Sequence, residues 1–139
     1  MSKVHVDLDS VKVIEGQGIG EGNFELNVKA QEGKNVVHWP DPYPSSDKVD
    51  QGGGVKSIGK RIATYTVNGG TLSKKFTLTV REIDRGTLGQ DDEGVGWVTF
   101  DLTSTMAPAT KSATIGLKRP NMKGKLIWRT PKRLVKSDQ

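Results

Sequence analysis

Apolar and polar positions alternate through most of the chain. Phe24, Leu26, Val28 and Ala30 interleave with Glu25, Asn27 and Lys29, and Phe76, Leu78 and Val80 alternate in the same way within 72–83. A period of 2 sends successive side chains to opposite faces of a strand, so each run predicts a strand with one buried face. Val4, Val6 and Leu8 share one phase, and Val11 and Val13 share the other. That predicts a strand over 3–14 with a slip, a bulge near Asp9-Ser10. Further strands are predicted over 35–39, 55–58, 61–67, 97–102, 112–117 and 126–130. Pro40 ends the first of these. Asn68-Gly69-Gly70 supplies residues that tolerate positive φ, as a hairpin turn requires. The total is eight or nine strands and no helix, at a spacing that implies an antiparallel sandwich or barrel.

Two segments interrupt the alternation. Residues 15–22, EGQGIGEG, form a glycine-rich loop. A phosphate-binding loop of that kind needs a helix after it, and 24–30 has the strand period, so the segment reads as a flexible loop between adjacent strands and not as a nucleotide site. Residues 40–54, PDPYPSSDKVDQGGG, make a loop too long for a bare connector.

The third interruption carries chemistry. After Val80 the next positions in the buried phase are Glu82 and Asp84, and Asp91, Asp92 and Glu93 follow before Val98, Phe100 and Leu102 restore the pattern. Five acids and one base, Arg85, occupy 82–93. Like charges about 4 Å apart repel by about 1 kcal/mol in water and about 4 kcal/mol at an effective dielectric near 20. Such a cluster either stays open to solvent or takes up a hard cation with oxygen ligands, calcium first. Glu82, Asp84, Asp91 and Asp92 are the candidate ligands, with Glu15 and Glu21 approaching from the 15–22 loop. The spacing does not match an EF-hand loop.

The run from Val80 to Leu102 resembles the C2 domain family. In that family a strand ends in V-x-D-x-D, a loop carries another aspartate, and a glycine precedes a further strand. The matching residues are Val80, Glu82, Asp84, then Asp91 or Asp92, then Gly96 and Val98 to Leu102. Glu82 stands where the family has the first aspartate. The resemblance implies an all-β, antiparallel, eight-stranded C2-like sandwich that binds calcium through loops at one end. It also implies a non-enzymatic module that docks on anionic phospholipid or an acidic protein surface.

Composition sharpens this in two ways. The chain has 139 residues and no cysteine, which removes disulfide scaffolds, thiolate nucleophiles and cysteine metal sites. Its charge is also split: residues 1–109 carry 12 bases and 15 acids, whereas 110–139 carry nine bases and one acid. Lys118, Arg119, Lys123, Lys125, Arg129, Lys132 and Arg133 make this basic end a candidate partner-binding surface. It suits an anionic membrane or an acidic neighbour, including another copy paired head to tail. That is the alternative function: a structural subunit that self-assembles or docks on a larger particle, virion or fibre. Trp128 alone offers no stacking platform, which argues against nucleic acid.

The expected organisation is one sandwich domain over 1–130 and a basic tail over 131–139. The opening MSKVHVDLDS has no apolar signal core, so cytoplasmic synthesis is expected, and release would need a non-classical route. His5 and His38 are expected as surface or packing residues, and the three tryptophans as packing residues. No nucleophile-elbow motif is present.

Overall fold

The computed structural model describes residues 2–15, 23–50, 55–83, 92–105, 107–118 and 125–138. Nine strands cover most of them: β1 (Ser2–Glu15), β2 (Asn23–Glu32), β3 (Asn35–Trp39), β4 (Asp47–Asp50), β5 (Val55–Val67), β6 (Leu72–Glu82), β7 (Asp92–Leu102), β8 (Ala109–Lys118) and β9 (Lys125–Asp138). One sheet has the order β5-β1-β9-β8 and the other β3-β2-β6-β7, with the short β4 paired to β2 off the main path. All pairings are antiparallel. This is an all-β antiparallel sandwich, one of the two architectures the alternation predicts and the one the resemblance implies, with β4 as a ninth strand.

The core follows the predicted phases. Val4, Val6 and Leu8 of β1 face Leu26, Val28, Phe76, Leu78, Val80 and Phe100 of the opposite sheet, all fully or almost fully buried. Phe76 meets Tyr65 and Phe100 edge to face, with centroids 6.5 and 6.0 Å away. The slip near Asp9-Ser10 is a register shift between Leu8 and Ser10 in the β1–β5 ladder, and it leaves both Ser10 and Val11 buried. Across that shift Gly59 adopts φ +66°, which lets 55–58 and 61–67 run on as one strand. In the predicted hairpin, Gly69 and Gly70 both have positive φ.

Three boundaries differ from the alternation, each for a physical reason. The 40–54 segment contains β4, whose single apolar residue, Val49, is too little to register as a period. β7 begins at Asp92 and not at Trp97, because its inward positions 94 and 96 are glycines and carry no apolar signal. A Cβ on Gly96 would stand 2.8 Å from Ile115 Cγ1, so β7 needs glycine where it packs on β8. β9 continues through 131–138, the segment read as a tail, and pairs with β1 from Ser2–Asp138 to Leu8–Lys132. Pro131 falls where the β1–β9 register shifts between Leu8 and Lys12, the kind of irregularity at which a central strand tolerates proline.

Both outer strands of the β3-β2-β6-β7 sheet receive a lysine from the other sheet. Lys60 of β5 donates to the carbonyls of His38 (2.8 Å) and Pro40 (3.0 Å), and Lys111 of β8 donates to that of Thr99 (2.7 Å). Lysines at exposed strand edges discourage pairing with another chain.

Candidate functional site

Strand direction decides which segments share an end of the sandwich. Leu26, three residues into β2, pairs with Glu82 at the end of β6, and Glu82 also pairs with Asp92 at the start of β7. Asn23 pairs with Asp50, Lys12 with Val55, Glu15 with Ile127 and Lys118 with Lys125. Thus β1, β4, β6 and β8 finish, and β2, β5, β7 and β9 begin, at one end. The strands flanking 16–22 and 84–91 are both rooted there.

Of the six candidate calcium ligands, Glu82 is the one whose side chain is described. It is 5% exposed, in phase with Val80 as the alternation predicts, and it has an interaction partner. Asp92 and Glu15 are placed as strand residues at the shared end. Asp84, Asp91 and Glu21 lie outside the described residues. Among the described residues no group of three or more His, Asp or Glu side chains could hold a metal. The donor chemistry of the six, all carboxylates, suits a hard cation.

The basic residues occupy defined register positions. Lys118 pairs with Lys125, Lys111 with Lys132, and Arg129 with both Lys12 and Thr114, while Arg133 is opposite Asp7 and Thr110. Arg119 and Lys123 lie outside the described residues. Like charges directly opposite are unfavourable, so β9 concentrates positive positions against bases on both neighbours. It is also an inner strand of its sheet. A partner would therefore meet a strand within a sheet, not a free tail.

A second arrangement was not visible in the sequence. On the outer face of β2, β3, β6 and β7, Asn27, Arg81 and Glu93 form one cross-strand row, and His38, Lys29 and Thr79 form the next. These rows floor a cavity of about 260 Å³, and Tyr43 from the 40–46 loop completes its wall. The loop is tied down by Asn27, whose Nδ2 donates to the carbonyls of Asp41 (2.6 Å) and Ser45 (2.7 Å). Arg81 Nε donates to Glu93 Oε2 at 2.5 Å, and the guanidinium lies 4.3 Å from the Tyr43 ring centroid. The bond to Glu93 holds the Arg81 pKa above its ordinary value.

His38 Nδ1 is buried without a hydrogen-bond partner among the described residues. Burial lowers the pKa of the ring, and Lys29 and Lys60 lower it further. Nothing local in sequence announces this pocket, since its residues come from four strands and a loop. The proline-rich stretch carrying Tyr43 was the one available signal.

His5 is a surface residue bonded to Thr64 Oγ1 at 2.9 Å, and Trp39 is buried. Trp97, expected to pack, is instead 55% exposed on the outer face, with Lys75 Nζ 5.3 Å from its ring centroid.

No family model matches the chain, and no curated protein matches it. A solved structure does. The chain is similar to a C2 domain, the one designated A, of plant extended synaptotagmin 1, with a TM-score of 0.46 and 15% identity over 99% of this chain and 95% of that one.

Proposed function

We propose that the protein is a non-enzymatic docking module that takes up calcium at its acidic end and then engages an anionic phospholipid surface or an acidic protein surface. The observation that supports this is the shared root of the two acid-bearing segments: Glu15 ends β1, Glu82 ends β6 and Asp92 begins β7 at one end of the sandwich. Asp84 and Asp91 follow and precede those strand ends in the chain, and Glu21 precedes β2. These six carboxylates would hold the ion. Calcium, when bound, supplies two positive charges and accepts further oxygen ligands from an anionic surface.

The residues themselves set the rest. Without a cation the carboxylates repel one another, and the end is a mixture of these acids and the bases Lys118 and Lys125. Neutralising the acids leaves the bases to dominate the local field, so the same end turns attractive to anions. Each base near an anionic bilayer contributes about 1 kcal/mol.

Calorimetric titration of calcium into the full-length protein should give saturable heat and a rise in melting temperature. Vesicles of phosphatidylserine and phosphatidylcholine should co-sediment with the protein in calcium and release it in chelator. No heat at millimolar calcium, together with an unmoved melting temperature, would sink the reading.

The like-charge pairs along β9 favour a second reading, a structural subunit that docks through its basic sheet face. Light scattering separates the two. Assembly that melts with salt and ignores chelator supports docking between copies or on a larger particle.

A further inference from the structure

We propose that the outer-face pocket is a binding site for a small monoanionic, hydroxyl-bearing molecule of the sugar-acid class. Its carboxylate would sit against Lys29, and its hydroxyls against Glu93, Arg81 and Thr79. The inference draws on none of the six carboxylates assigned to calcium, so it stands or falls separately from that reading.

The argument starts from a preformed cavity. Asn27 bonds two carbonyls of the 40–46 loop, and Lys60 bonds the carbonyls of His38 and Pro40 at its near end. The wall carrying Tyr43 is therefore fixed before any ligand arrives, and pre-organisation of this kind lowers the ordering cost of binding.

Charge selects the ligand next. Arg81 is committed to Glu93 and stacked on Tyr43. Lys29 forms no ion pair among the described residues, so the cavity carries one surplus positive charge. A single carboxylate matches it. A phosphate dianion would bring a second charge toward the Glu93 carboxylate, where repulsion at about 4 Å runs from about 1 to about 4 kcal/mol as the effective dielectric falls from water to 20.

Hydrogen-bonding capacity selects the rest of the molecule. His38 Nδ1 is a buried polar atom with an unmade bond, and such atoms are uncommon in folded proteins. It is enclosed, so Lys29 Nζ, and not this atom, is the donor that a ligand carboxylate would meet. Glu93 offers acceptor lone pairs, Arg81 its remaining N–H groups, and Thr79 a hydroxyl that does both. That mixture of donors and acceptors around one cavity suits hydroxyls, which also do both. An apolar ligand would satisfy none of this remaining capacity.

The test is calorimetric titration of glucuronate into the full-length protein in the presence of chelator, with glucose, acetate and inorganic phosphate in parallel. Saturable 1:1 binding of glucuronate is expected, with each of the other three weaker by about tenfold or more. Lys29→Met should weaken glucuronate by about tenfold or more, and Thr79→Val by less. Both positions are at the sheet surface, and melting curves verify that the variants are folded. Should either fail to fold, the His38 ring resonances of the native protein must shift on saturation with glucuronate. Absence of saturable binding overturns the proposal. So does glucose or phosphate binding as tightly as glucuronate, or a Lys29→Met affinity equal to that of the native protein.

Discussion

The acidic end and the outer-face pocket are built in opposite ways. The first is contiguous: Glu82, Asp84, Asp91 and Asp92 lie within one stretch of sequence, and β6 ends and β7 begins at one end of the sandwich. The second is assembled: β2, β3, β6, β7 and the 40–46 loop each contribute one or two side chains, and only strand register aligns them. As proposed, the first works through charges that disfavour one another until a cation arrives. The second has its main charges already paired and its loop already tied, with a single surplus cation left to recognise something. One region is a concentration of charge and the other a balance of charge, and ligands of very different character follow.

The largest effect that would separate the two regions comes from Asn27→Ala. It removes the donor to the carbonyls of Asp41 and Ser45 and frees the wall carrying Tyr43. Each lost hydrogen bond is worth about 0.5–1.5 kcal/mol, so urea denaturation should show a loss of about 1–3 kcal/mol. Glucuronate binding should disappear while the response to calcium persists. Loss of both responses would mean that the two regions are one cooperative unit.

The converse change acts on the acidic end. Asp84→Asn with Asp91→Asn removes two like charges, and without calcium the melting temperature should hold or rise, by an amount corresponding to about 1 kcal/mol at most for groups open to solvent. The calcium-induced rise in melting temperature should vanish. If the double variant still gains stability from calcium, the carboxylates were assigned wrongly.

Legibility in the sequence follows the same division. A strand with one buried face writes its period into the chain, so Phe24–Ala30 and Phe76–Val80 announced themselves, and the slip in β1 was visible as a change of phase. Where the inward positions are glycines, as at 94 and 96, or where one valine carries the strand, as in β4, no period exists to be seen. Glu82 was placed correctly in the buried phase because that placement needs only local alternation. The pocket needed the pairings Lys29–His38, Lys29–Thr79 and Arg81–Glu93, which depend on register between segments far apart in sequence. Register is set by turns, bulges and the packed core together, and no single segment encodes it.

Within the pocket, Arg81→Met sharpens the comparison on a smaller scale. It removes a partly exposed ion pair with Glu93 and a guanidinium–ring contact with Tyr43. Exposed pairs contribute about 0.2–1 kcal/mol and exposed cation–π contacts about 0.5–1 kcal/mol, so the stability loss should stay near 1 kcal/mol. Affinity for glucuronate should change more than stability does, because the variant also leaves Glu93 uncompensated beside Lys29.

The smallest effect is a pH dependence, and its sign is fixed by His38. Burial, then Lys29, then Lys60 lower the pKa of the folded ring, while Arg81 and Glu93, across the same cavity, offset each other. The unfolded chain titrates near the ordinary value of about 6.5. Between that value and the lower folded one, the unfolded state binds more protons than the folded state, so stability rises with pH through that window. The contribution is fully present above about pH 6.5 and is lost as pH falls through the folded pKa. Thermal melts across the acid range should show that slope, and His38→Asn should flatten it. Lys29→Met should shrink the slope without abolishing it, because burial, the larger cause, remains. A slope unchanged in His38→Asn would show that His38 is not its source.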